Sequence, residues 1–240
     1  MNKDGRQYKI FSGSALKLIA MTSMLIDHFA FSFKGEIDFL SLSLFSIRGY
    51  EFTIYYIMRA IGRLAFPLYC FLLVEGFLHT SDKKRYGCNL FVFALLSEIP
   101  WNLIHSGGIF YSSQNVFFTL LFGFFALYAT ERVLGGNRRY FFALLAVVAL
   151  SYVFRADYGY RGVLVIIAMY LLHSHSALRV ISCIVIFRLK VAVALAFIPI
   201  GLYNGQRGFI KGKWAKYAFY AFYPLHLLLF AILKICLFRA

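Results

Sequence analysis

Acidic residues are scarce in this chain. Ten Asp and Glu stand against 25 Lys and Arg, a net charge of +15 over 240 residues. The four cysteines, Cys70, Cys88, Cys183 and Cys236, form neither a CxxC pair nor a metal-ligand spacing. No metal is therefore expected, and nothing points to a disulfide or to redox chemistry. The basic residues fall in separate short loops and make no continuous stripe, which argues against nucleic acid and for charge that orients a chain in a membrane. No small-x-small cleavage site follows the first apolar stretch, which is also too long for a signal-peptide core. It reads as a first membrane helix behind the basic tail MNKDGRQYK. No internal repeat or long linker interrupts residues 1–240, so the economical reading is a single transmembrane domain.

What the chain does have is apolar length. Hydrophobic residues make up 61% of the sequence, against about 45–50% in a soluble domain. Apolar segments fall near 15–33, 52–79, 88–105, 115–134, 139–154, 158–173, 177–189, 190–204 and 216–237. The fold class is therefore all-α, a polytopic integral membrane protein. Loop charge then sets orientation. Lys3, Arg6 and Lys9 put the N-terminus in the cytoplasm. Asp82-Lys83-Lys84-Arg85 and Arg132 through Arg139 fall on the same side, and His105–Ser113, without Lys or Arg, falls outside. Keeping Arg207, Lys211, Lys213 and Lys216 inside requires 177–204 to cross twice. About nine crossings with the C-terminus outside follow. If 177–204 is instead one tilted helix carrying Arg188 and Lys190, the count is eight. The mixed segment 34–51 reads as a surface element in the outer interface, with an in-plane helix as the simplest form.

Ionisable groups recur inside these apolar segments, where each costs roughly 2.5–3.5 kcal/mol on insertion scales. Asp27-His28 lies about two-thirds of the way along the first segment. Arg59 and Arg63 share a face in the second. Glu98 and Asn102 do so in the third, with Pro100 loosening the helix between them. Gln114-Asn115 and Asp157-Tyr158 fall where later segments turn on the same side. Segments remote in sequence thus bring polar groups to one outer half of the membrane, which predicts a shared polar cavity. Tyr223 and His226, in the FYPLHL run of the last segment, lie near mid-depth. Glu75 and His79, four apart, make a second and inner group. His173 and His175 read as solvated loop residues. Lys17 and His28 are eleven positions apart, three helical turns, and point to one side. Asp27 points about 100° away, so it need not orient His28, and a residue of another helix can play that part, with Glu98 as the candidate.

The same residues carry a family resemblance. The stretches KLIAMTSMLIDHFAF (17–31), IGRLAFPLYCFLLVEGFLHT (61–80), LLSEIPWNL (95–103), QNVFFTLLFG (114–123), ADYGYRGVL (156–164), LYNGQRG (202–208) and FYPLHL (222–227) resemble the TraX family in content and order. The founding member of that family is associated with acetylation of a conjugative pilin's N-terminus. TraX proteins look distantly related to integral-membrane acyltransferases that use acetyl-CoA. Those carry a basic residue, ten intervening residues and a histidine in the first helix, a spacing that Lys17 and His28 match.

The resemblance implies a catalytic His28, with Asp27 and Glu98 in support. Lys17, Arg132, Arg138 and Arg139 would meet the phosphates of cytoplasmic acetyl-CoA. Arg59, Arg63, Glu75, Asn102, Gln114, Asn115, Asp157, Tyr158, Tyr223 and His226 would line the acceptor cavity. It further implies a multi-pass protein of the bacterial inner membrane, with the lipid bilayer, acyl-CoA and an exported peptide or glycan as partners. An imidazole can serve as base or as acyl carrier in such a transfer. Two other classes stay open: a proton-coupled small-molecule transporter using Asp27, His28 and Glu98, and a non-catalytic pilus or envelope assembly factor.

Overall fold

Helix boundaries follow caps that the sequence supplies. The computed structural model describes residues 9–47, 49–188 and 191–238, the side chains of 191, 192 and 213 excepted. Lys3, Arg6 and Lys190 of the charge reading lie outside these residues. Ser12 Oγ accepts from Ala15 N and opens α1 (Gly13–Ser32). A 3-10 turn, Asp38–Ser41, leads into a hairpin of β1 (Ser43–Ile47) and β2 (Tyr50–Thr53). Thr53 caps α2 (Ile54–Gly62), which α3 (Ala65–His79) follows after a break at Arg63-Leu64. Asp82 caps α4 (Lys83–Ser106), and Gly107 ends it at φ 72°, a conformation that favours glycine. Asn115 caps α5 (Val116–Leu134). Shorter helices α6 (Tyr140–Val153), α7 (Gly159–Leu171), α8 (Ser176–Ile186), α9 (Val191–Leu195) and α10 (Phe197–Gly201) precede the long α11 (Lys213–Phe238).

Five helical stretches among the described residues are long and apolar enough to cross a membrane: 13–32, 54–79, 83–106, 116–134 and 214–238. The second is the α2–α3 pair. Length alone thus supports five of the expected crossings. The remaining apolar segments form helices of 14, 13 and 11 residues and two of five. Segment 34–51 is corrected. It forms the turn and hairpin, not an in-plane helix, because residues alternate across the strands. Phe45 pairs with Phe52 and Ile47 with Tyr50 on one face, Ser46 with Glu51 on the other.

Side-chain contacts fix the directions. Let the proximal end be the one where α1 begins. There Ser14 Oγ donates to Arg207 O at 2.9 Å, and Lys83 Nζ meets Glu131 at 2.6 Å. At the distal end Lys234 meets Glu36 at 3.5 Å, and Phe31 packs on His105 at 4.6 Å between ring centres. Along α1 and α11, Lys17 lies over Phe219, His28 meets His226, and Phe33 meets Phe230. These two helices therefore run parallel. After α8 the ring of Phe187 reaches Phe66 and Tyr158 at 5.9 and 6.2 Å, and Tyr203 is back against Phe71 at 5.3 Å. The stretch 176–203 thus rises from the proximal end and returns to it.

Distal helix ends are unequal, and this shapes the site. Asn115, at the start of α5, sits level with Glu98 of α4. From Glu98, α4 runs on to Ser106, about 12 Å further at 1.5 Å per residue. The connecting loop folds back along it. Trp101 Nε1 donates to Ser113 O at 2.8 Å and Asn102 Nδ2 to Ile109 O at 2.7 Å.

Candidate functional site

Met24, Asp27, His28 and Phe31 follow the three-and-four spacing of one helix face, and all four line a cavity of about 120 Å³ in the distal half. Arg59, Gly62, Ala65, Phe66 and Tyr69 form a second wall around the α2–α3 break. α3 begins there without a side-chain cap, with Ala65 and Phe66 buried at the wall. Trp101 and His105 come from the part of α4 that overhangs α5, Asp157 and Tyr158 from the α6–α7 turn, and Tyr223 from α11.

One carboxylate of the cavity is paired. Arg59 Nη1 donates to Asp27 Oδ2 at 2.5 Å, while Asp27 Oδ1 is buried with no hydrogen-bond partner among the described residues. Gly62 makes this approach possible, since a Cβ there would collide with the Asp27 side chain. The other carboxylate, Asp157, is held by its turn. Gln114 N and Ser113 Oγ both donate to Arg155 O, and Tyr158 N donates to Thr119 Oγ1. Asp157 is exposed as a residue and lines the cavity, while the protein packed around its carboxyl penalises the charged form. This desolvation pushes the carboxyl up to about 7. The Asp27 carboxylate adds to the rise and Arg59 opposes it. The Tyr158 ring lies flat on Phe66, 3.5 Å between centres.

His28 is buried, and its partner is His226. His28 Nδ1 and His226 Nε2 are 2.7 Å apart, the rings nearly parallel at 20°. His226 Nδ1 lies 2.6 Å from Phe222 O. The Tyr223 ring stands edge-on to His28 at 5.8 Å. Glu98, the partner expected from sequence, is engaged elsewhere. Its carboxylate accepts from the Asn115 side chain and from Asn115 N at 3.2 Å, and so joins α4 to the start of α5.

Of the other residues singled out by sequence, Arg59, Asp157, Tyr158 and Tyr223 come together at the cavity. Arg63 is exposed at the C-cap of α2, in the break before α3, and Asn102 holds the α4–α5 loop. Gln114 bridges to Ala156, and Asn115 caps α5. Glu75 lies at the proximal end. Lys17 lies there too, with Arg132, Arg138 and Arg139 exposed on or beside the α5–α6 turn. Ala20 and Met24, on the Lys17–His28 face of α1, are buried, so side chains fill that path in this conformation.

Two histidines were missed. His105 lines the cavity, its ring 3.7 Å from that of Trp101 and its Nδ1 2.9 Å from Trp101 O. Its seven-residue spacing from Glu98 was the available signal. His173, read as solvated, binds Glu75 Oε1 at 2.7 Å, and Arg179 donates to the His173 carbonyl at 3.2 Å. Glu75 is also 4.0 Å from His79, the pairing that its four-residue spacing offered. No cluster of three or more metal-ligating side chains occurs among the described residues.

Comparison with known proteins agrees with the spread of these motifs. Over 125 residues the chain is 32% identical to the probable fimbrial assembly protein FimC, serogroup H1, of Dichelobacter nodosus. That match covers 49% of this chain and 46% of the relative, so the chain spans about half the length of the curated protein it matches. No solved structure matches. The profile of the TraX protein matches residues 12–234, which takes in every cavity residue named above, and the chain belongs to the TraX family.

Proposed function

We propose that this protein is an integral-membrane acyltransferase of the bacterial inner membrane. It moves an acetyl or acyl group from cytoplasmic acetyl-CoA to an amine or hydroxyl of an exported peptide or glycan. The observation that carries the reading is the placing of His28. It is an imidazole at the wall of a polar cavity in the distal half, on the same helix face as Lys17. Eleven residues separate them, about 16 Å of rise. An extended acyl-pantetheine arm covers that length, with Lys17 and the proximal arginines at the phosphate end, and its entry requires the side chains that fill this path, Met24 among them, to move aside. The small cavity suits a reacting terminus. Sites for whole drug-sized ligands start at roughly 300 Å³. Hydrogen-bond donors for the developing oxyanion are available in Arg59 and the Tyr69, Tyr158 and Tyr223 hydroxyls.

Topology supports an outward-facing acceptor. A first and a last crossing that run parallel require an odd number of crossings. Counting the excursion of 176–203 as two crossings would give nine, and loop charge would then put the distal end outside.

The test is CoA release from radiolabelled acetyl-CoA by purified protein in nanodiscs. Wild type releases CoA, and His28→Ala lowers the rate by roughly 10²-fold or more at equal abundance. Equal release from the two proteins, or none from wild type, overturns the reading. The similarity to a fimbrial assembly protein favours a second reading, a non-catalytic assembly factor for fimbriae or envelope. That reading expects His28→Ala to insert normally and to keep assembly intact.

A further inference from the structure

His28 and His226 meet end to end, and one of them is tied to the main chain. His226 Nδ1 is 2.6 Å from Phe222 O, and a carbonyl oxygen only accepts. Nδ1 of His226 therefore carries the hydrogen. A neutral imidazole has one N–H, so His226 Nε2 presents a lone pair. The 2.7 Å contact to His28 Nδ1 then requires that His28 donate. His28 is left with its hydrogen on Nδ1 and a bare Nε2. No hydrogen bond to that Nε2 occurs among the described residues. The pair also holds at most one extra proton, since two imidazolium rings would set N–H against N–H at this distance.

We infer that His226 is a positioning residue, which fixes the ring and the tautomer of His28 so that Nε2 is the reactive nitrogen. The inference rests on the acyltransferase reading of His28. In that reaction Nε2 takes the proton of the acceptor N–H or O–H as the acceptor atom bonds to the acyl carbon. The carbon–sulfur bond of the thioester breaks, and His28 returns the proton to the departing thiolate sulfur. While His28 holds the proton, its Nδ1–H bond to His226 is charge-assisted and stronger than in the neutral pair. His226 thus favours the state that exists during transfer. It does in an apolar helix what a carboxylate does in other sites, without placing an anion in the membrane. The surroundings keep the arrangement rigid: Phe222 stacks on His226 at 4.7 Å, and Phe230 stands edge-on at 5.9 Å.

The experiment uses the full chain in nanodiscs with ¹⁵N-labelled histidine, and compares wild type with His226→Gln and His226→Leu. Glutamine places an amide oxygen about where Nε2 lies, while leucine fills the space without an acceptor. Long-range ¹H–¹⁵N correlations report the His28 tautomer, and CoA release reports turnover. The expected result is an Nδ1–H tautomer of His28 in wild type and in the glutamine variant, and a mixture in the leucine variant. Leucine lowers kcat by roughly 10²-fold with KM for acetyl-CoA changed little, and glutamine restores most of the loss. A wild-type His28 in the Nε2–H form overturns this inference whatever the activity. So does a leucine variant that keeps both tautomer and kcat. Absence of any His28-dependent release in wild type overturns the acyltransferase reading instead.

Discussion

Asp157 shows how one carboxyl of the cavity wall couples the site to pH. Desolvation pushes it up from the ordinary 3.8 to about 7 in the fold. Between those values the folded state holds more protons, so this residue makes stability fall as pH rises through the window. Thermal unfolding in detergent at a series of pH values checks this. The midpoint of wild type should drop more between about pH 4 and 7 than that of Asp157→Asn, and parallel curves would refute it. Asp157, Asp27 and His28 were legible in the sequence because ionisable groups stand out in apolar runs. Their partners were harder to read. The pairing of Asp27 with Arg59 depends on Gly62, whose missing side chain gives no polar signal. His226 carries one histidine's worth of information until Phe222 O and His28 are seen on either side of it.

At the scale of elements, the join between α4 and α5 turns on Asn115. Its side chain caps α5 through Phe117 N at 3.0 Å, donates to Ala94 O at 2.8 Å and engages Glu98. Asn115→Ala should cost roughly 2–3 kcal/mol, a cap of about 1 plus the unpaired groups left behind. A double-mutant cycle with Glu98→Gln, read by unfolding in detergent, should show coupling above about 0.5 kcal/mol, and additive effects would refute the join. The same contact assigns Glu98 to architecture, so Glu98→Gln should leave CoA release within a few-fold of wild type. The long helices were readable from apolar length and caps. The hairpin was not. Its strands are five and four residues, too short for alternation to stand out beside the 3-10 turn before them. The α2–α3 break was also hidden, because 61–79 carries no polar residue except Arg63, Tyr69, Glu75 and His79.

For the whole molecule, the parallel run of α1 and α11 fixes whether the crossings are odd or even in number, and no local pattern in the sequence contains it. Loop charge, through the excess of Lys and Arg near the proximal turns, predicts which end faces the cytoplasm. A C-terminal fusion checks it. Alkaline phosphatase should be active and green fluorescent protein dark, and the reverse pair of results would require an even number of crossings. The break at Arg63-Leu64 has a separate consequence. An unbroken membrane span hides its amide hydrogens from solvent, but α3 starts uncapped at the cavity wall. Ala65 and Phe66 therefore form a window for deuterium uptake in the middle of a 26-residue span. Both residues line the cavity, so a seated acceptor should slow uptake at these two amides.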